Sequence, residues 1–140
     1  MAEMSESKHL SVSIARDIGY VYDFLSDPAN FPKWASGLGT LRQVDGQWMA
    51  ETPTGTMQVR FSGRNQYGVL DHWVITRPGV EIYIPFRVVV NGAGSKLIFT
   101  LFRPPGVDRD NFNADAEWVM RDLQAVKKYL EASGLKSKTS

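Results

Sequence analysis

Between Arg109 and Ser133, Phe112, Ala116, Val119, Leu123, Val126 and Leu130 recur at alternating spacings of 4 and 3. That spacing keeps all six on one stripe of a helix, so the sequence predicts a long helix near its end. Asp108 and Asp110 stand where a helix start favours a cap, and Lys127 and Lys128 lie in the last turns, as the helix dipole favours. Gly134 marks an expected stop. No other segment has a helical pattern of this length. Strands that precede it must therefore share this one helix as their cover.

Strand patterns do precede it. "HLSVSIA" alternates, with Leu10, Val12 and Ile14 on one face and His9, Ser11 and Ser13 on the other, the mark of a half-buried strand. "RDIGYVYDFLSDP" changes period, and Ile18, Val21, Tyr22 and Leu25 fall on one side of a short helix. Asp27 before Pro28 opens a second short helix, through Phe31 to about Ala35. Six β-like segments follow as a meander. "TLRQV" and "QWMAET" flank Asp45-Gly46, a strong hairpin signal. "GTMQVRFSGR" ends in the turn "NQYG"; "VLDHWVIT" and "VEIYIPFRVVV" flank "RPG"; "SKLIFTLFR" follows "NGAG".

The order is β-α-α-β-β-β-β-β-β-α, an α+β chain with a seven-stranded antiparallel sheet. The apolar face of such a sheet needs a cover. A curved sheet wrapped around the C-terminal helix is the economical solution. One helix cannot fill the concavity of so wide a sheet, so a cavity is expected between them, closed at one end by the two short helices. At 140 residues the chain is the size of one domain, read here as 1–140, with 1–8 and 135–140 expected to be disordered.

Composition removes several function classes. There is no cysteine, and His9 and His72 are the only histidines, which excludes an all-histidine metal site. Neither a metal nor a cofactor is expected. Sixteen basic and 15 acidic residues give a net charge of +1, without the clustered basic face that nucleic acid requires. No apolar run reaches bilayer length, and the N-terminus lacks a signal-peptide layout, so a cytoplasmic protein is expected. "GLGT" and "GAGS" are glycine turns, and neither joins a strand to a helix as phosphate loops do.

"VSIARDIGYVYDFLSDPANFPKWA" resembles the opening of the START-like, Bet v 1-like (SRPBCC) helix-grip superfamily, in which a strand leads into a "FLSDPxNxxxW" pair of helices. "GVLDHWV", "IYIPFRVVVNGAGSKLIFTLFR" and "DAEWVMRDL" are similar to small bacterial members described as polyketide cyclase/dehydrase-like. The resemblance covers residues 9–133. It implies the helix-grip fold and a cavity for a hydrophobic or amphipathic small molecule, lipid- or polyketide-like. It leaves open a cyclase or dehydratase activity.

Hairpin register suggests what lines that cavity. If Arg77 stands opposite Val80 across "RPG", then Trp73 faces Ile84 and Asp71 faces Phe86. With "NGAG" as a loop, Phe86 faces Phe99 and Ile84 faces Leu101. One face then carries Asp71, Trp73, Ile75, Ile82, Ile84, Phe86, Val88, Leu97, Phe99 and Leu101. The other carries Leu70, His72, Val74, Tyr83, Pro85, Arg87, Thr100 and Phe102. The first is nearly all apolar and is expected to be concave. A bulge would change this register for part of the sheet.

The expected cavity residues are therefore Trp34, Trp48, Met57 and Phe61, then Asp71 and Trp73, then Ile84, Phe86, Phe99 and Leu101, with Phe112, Val119 and Met120 from the helix. A bare carboxylate among these aromatics is costly unless paired. Asp71 reads first as the partner of a structural arginine, with Arg60 and Arg64 as candidates, and second as a catalytic acid or ligand anchor. Arg60 is the other candidate polar anchor. His72 is expected on the outer face, in a surface or sheet-packing role ahead of a catalytic one. That outer face, with Leu70, Val74, Val89, Ile98 and Phe102, is apolar enough for a homodimer contact. Trp118 and Tyr129 are expected to pack on loops or the sheet rim.

Overall fold

The computed structural model describes residues 4–36, 40–53 and 55–138. Strand β1 (Ser7–Ile14) leads into helix α1 (Ile18–Leu25) and a 3-10 helix at Pro28–Lys33. Then come β2 (Leu41–Val44), β3 (Gln47–Thr52), β4 (Gly55–Phe61), β5 (His72–Arg77), β6 (Val80–Ile84), β7 (Phe86–Asn91) and β8 (Gly94–Phe102). The chain closes on helix α2 (Arg109–Lys138). Residues 37–39 of the expected "GLGT" turn lie outside the described residues, as do 1–3 and 139–140 of the ends expected to be disordered. β1 already begins at Ser7, and α2 runs through Gly134 instead of stopping there. A glycine costs a helix only about 1 kcal/mol, and the "LKSK" after it contains no breaker.

Local chemistry sets most boundaries. Asp17 caps α1 by accepting from the Tyr20 amide, and Asp27 caps the 3-10 helix by accepting from the Ala29 amide ahead of Pro28. Asp45 (φ 51°) and Gly46 (φ 80°) both take the left-handed conformation that a two-residue β2–β3 turn demands. In the β4–β5 loop, Asn65 Oδ1 accepts from the Tyr67 and Val69 amides, and its Nδ2 donates to the Gly63 and Val69 carbonyls. One side chain thus folds the segment that delivers Gly68 to Asp71.

The strands form a three-stranded sheet, β1-β8-β7, and a five-stranded sheet, β2-β3-β4-β5-β6, all antiparallel. The expected single strand from Val80 to Val90 is two, because Pro85 has no N–H to give to a ladder. That accounts for eight strands where seven were expected. The sheets meet at this break. Leu70 N donates to Phe86 O (2.7 Å), Val88 N to Gly68 O (3.0 Å) and Thr100 N to Pro85 O (3.0 Å). Gly68 (φ 72°) permits the approach, since a Cβ there would lie 2.3 Å from the Val88 carbonyl oxygen.

The α2 stripe does the covering. Leu123, Val126 and Leu130 are fully buried, in one cluster with Val12, Ile14, Phe86, Val88, Leu97 and Phe99. Polar contacts fix the helix against β1 and the turn after it: Lys127 Nζ donates to Ser13 O (2.7 Å), and the Ala15 amide to Glu131 (2.8 Å).

The "RPG" hairpin carries the decisive irregularity. Arg77 pairs with Val80 as expected, but the next pair is Ile75 with Glu81. Thr76 is therefore an extra residue, a β-bulge. Pro78 followed by Gly79 at φ 81° is the pattern of a type II turn, whose twist splays a two-residue hairpin. The bulge accommodates that mismatch. It slips the register by one, so every β5 residue before it changes face.

Candidate functional site

After the slip, the cross-strand pairs are Val74 with Ile82, Trp73 with Tyr83 and His72 with Ile84. His72 and Val74 therefore share the concave face with Ile84, and Asp71 and Trp73 lie on the other side. This reverses the expected placement of all four residues. Between the concave face and α2 lies a cavity of about 240 Å³ that is open to solvent on one side. The sheet contributes His72, Val74, Ile84 and Phe99. Phe31, Trp34 and Ala35 close one side, and Trp118, Val119 and Asp122 of α2 form the other.

His72 is only 3 % exposed. Its ring lies 5.4 Å from that of Phe31, 6.0 Å from those of Phe61 and Phe86, and 6.5 Å from that of Phe99. Its Nδ1 is 3.2 Å from the Leu70 carbonyl oxygen. A carbonyl can only accept, so Nδ1 carries the proton and Nε2 of the neutral ring carries a lone pair. Nε2 makes no hydrogen bond among the described residues and is not one of the fully buried unpaired atoms. Burial among aromatic rings lowers the His72 pKa to about 4, against the smaller upward pulls of the Leu70 carbonyl and the Asp71 charge. The ring is neutral at pH 7.

The other polar groups are sparse. Trp34 Nε1 is buried without a hydrogen-bond partner among the described residues. At the rim, Trp118 Nε1 donates to Ser36 Oγ (2.7 Å), which donates to Asp122 Oδ1 (2.7 Å). Burial pushes the Asp122 carboxyl up, partly offset by its bonds from Ser36. No lysine or arginine lines the cavity among the described residues.

Comparison with known proteins bears on the architecture. No protein-family model matches the sequence, and no curated protein matches it significantly. Solved structures do match. Protein XoxI from Bacillus cereus superposes with a TM-score of 0.71 at 14 % identity, over 89 % of this chain and 94 % of its own. Ara h 8.0201 gives 0.66 at 9 % identity, over 91 % and 98 %. DynU16, a protein in the dynemicin biosynthetic locus, gives 0.68 at 13 % identity over 91 % of this chain, which spans 48 % of DynU16. The fold is the Bet v 1-like helix grip. At such identities the likeness concerns the fold alone.

Within the helix grip, Asp71 is not at the cavity. Its Oδ1 accepts from the Phe86 amide and Arg87 Nε (both 2.8 Å), and its Oδ2 from Arg87 Nη2 (2.8 Å) and Tyr83 Oη (2.6 Å). Burial alone would raise its pKa. The bonds from Arg87, Tyr83 and the Phe86 amide outweigh that and hold it at about 2. The same contacts raise Tyr83 and Arg87. The partner arginine is thus Arg87, not Arg60 or Arg64. Arg64 pairs with Asp23. Arg60 is also on the outer side, bonded to Glu81 (2.8 Å) with its guanidinium 4.9 Å above the Trp73 ring. It therefore cannot anchor a cavity ligand.

The remaining expected residues divide. Trp34, Ile84, Phe99 and Val119 line the helix-grip cavity. Phe86 packs behind it, 5.6 Å from Trp34 and 5.4 Å from Phe99. Phe61 packs on Phe31 and His72 and, with Trp48, borders a separate groove of about 510 Å³. Met57 lies across from buried Ala50. Leu101 and Met120 pack on the core. Phe112 is buried beneath the Lys8 ammonium at 5.4 Å. Trp118, expected on the rim, also lines the cavity, and Tyr129 packs on Phe24 at 5.1 Å. The face expected to form a homodimer contact included Leu70 and Val74. Leu70 is buried in the core and Val74 lines the cavity, which weakens that case. His72 is the residue that alternation alone missed. The signal was Pro78-Gly79, whose turn type calls for a bulge.

Proposed function

We propose that this helix-grip chain binds a small, largely apolar molecule in the cavity between the sheet and α2. The observation carrying the reading is the cavity itself. Phe31, Val74, Ile84, Phe99 and Val119 wall about 240 Å³, well beyond the about 30 Å³ share of one water. The space is open to solvent on one side, and its mostly apolar walls suit an apolar guest. It is smaller than the about 300–1,000 Å³ of drug-sized sites. The guest is therefore a single ring or one end of a longer molecule. A fold shared with a protein of the dynemicin biosynthetic locus supports a small-molecule role.

The rival reading is an enzyme that moves protons on a polyketide-like chain, with His72 as its base. A general base works best with a pKa near the working pH, and His72 sits at about 4. Binding is therefore the preferred reading. Native mass spectrometry of the purified full chain tests it. The expected result is one small molecule per chain, either co-purified or taken up from added toluene, and lost in Ile84→Trp, which fills the space. A chain that binds neither, or a variant that binds as well as the wild type, overturns the reading.

A further inference from the structure

We infer that the cavity selects an uncharged ring bearing a hydroxyl group, whose proton is accepted by His72 Nε2. This rests on the cavity being a binding site and names the class of guest.

The backbone decides which His72 nitrogen is the acceptor. Leu70 and Phe86 face each other across the junction, and Leu70 N donates to Phe86 O. In an unbroken antiparallel ladder such a pair exchanges both bonds, so the Phe86 amide would return to Leu70 O. Here the Asp71 carboxylate takes the Phe86 amide instead, at 2.8 Å. Leu70 O is left for His72 Nδ1. Asp71, on the outer face, thereby sets the proton on Nδ1 and the lone pair on Nε2. Nε2 is not one of the fully buried unpaired atoms, so on the pocket wall it is open to a donor from a guest.

Two features narrow the donor. Asp122 is the charged residue lining the cavity, so an anionic guest meets repulsion and no counter-ion. Phe31, Trp34 and Phe99 present aromatic rings, which suit a planar guest. A hydroxyl is the smallest uncharged group that gives a proton to the His72 lone pair.

Isothermal titration calorimetry of the full chain with toluene, p-cresol and benzoate tests this. Toluene is expected to bind, p-cresol about tenfold tighter, the worth of one hydrogen bond, and benzoate not measurably. In His72→Phe, p-cresol and toluene are expected to bind equally. If toluene binds and p-cresol binds no tighter, hydroxyl selection is overturned while the cavity stands. If benzoate matches p-cresol, selection for an uncharged guest is overturned. If none binds, the cavity reading itself falls and takes the inference with it. Should His72→Phe fail to fold, the wild-type imidazole ¹⁵N spectrum decides: Nε2 must shift on adding p-cresol and stay put with toluene. An Nε2 unmoved by p-cresol overturns the inference.

Discussion

Asp71 and His72 are adjacent in the chain, 5 % and 3 % exposed, on opposite faces of the sheet. Asp71 is bound by four donor atoms from Arg87, Tyr83 and Phe86 and keeps its charge. His72 has one bond, to a carbonyl, and loses its charge. A buried titratable group either collects enough partners to stay ionised or gives up ionisation. The saturated group has no valence left for a ligand. The neutral one keeps an open lone pair beside the cavity, so the residue less suited to holding charge is the better candidate for recognition.

The largest test of this contrast is Asp71→Ala. It leaves the buried Phe86 amide unpaired and frees Tyr83 and Arg87. The expected loss is about 3–4 kcal/mol in urea unfolding at pH 7, moderated because Arg87 is half-exposed and returns to water. A loss below about 1 kcal/mol would show that the clamp is not structural.

Acid separates the pair by pH window. His72 is lowered from 6.5 in the unfolded chain to about 4 in the fold. Its contribution is fully present above pH 6.5 and is lost as pH falls through about 4, because the unfolded state takes up the proton first. The expected decline is about 3 kcal/mol between those values, absent in His72→Phe. Asp71, lowered from 3.8 to about 2, begins to lose its contribution only below about 4. A wild-type stability profile that matches His72→Phe between pH 6.5 and 4 would contradict a neutral buried histidine.

Gly68→Ala probes the junction that brings the two residues to their places. Its Cβ would meet the Val88 carbonyl at 2.3 Å, at a φ of 72°. Gly46, at φ 80°, has open space around it. The expected loss is about 2 kcal/mol at Gly68 against about 1 at Gly46→Ala, read from urea midpoints. Equal losses would mean that the close approach to β7 is not needed.

Much of the fold was legible. The α2 stripe, the alternation of β1, the Asp27-Pro28 cap and the Asp45-Gly46 turn are local signals, read within a few residues of themselves. So were the β7–β8 pairings, since Phe86 opposite Phe99 follows from a regular hairpin. The site was less legible. Trp34, Ile84, Phe99 and Val119 could be placed near the cavity from apolar pattern alone. Asp71, His72, Trp73 and Arg60 could not. The faces of Asp71, His72 and Trp73 depended on one residue, Thr76, absorbed five positions downstream of Asp71, and that of Arg60 on the loop joining β4 to β5. An arginine for Asp71 could be foreseen from the cost of a buried charge. Which arginine could not, because that choice follows the register.

The chain by itself determined the order of its elements, the concave apolar surface and the helix that covers it, because periodicity and turn residues act over short distances. Only the tertiary structure decided which of two neighbouring titratable side chains looks inward. Strand alternation has a period of two, so a single bulge reverses every assignment before it, and its effect is felt where β5 meets β6 and β7.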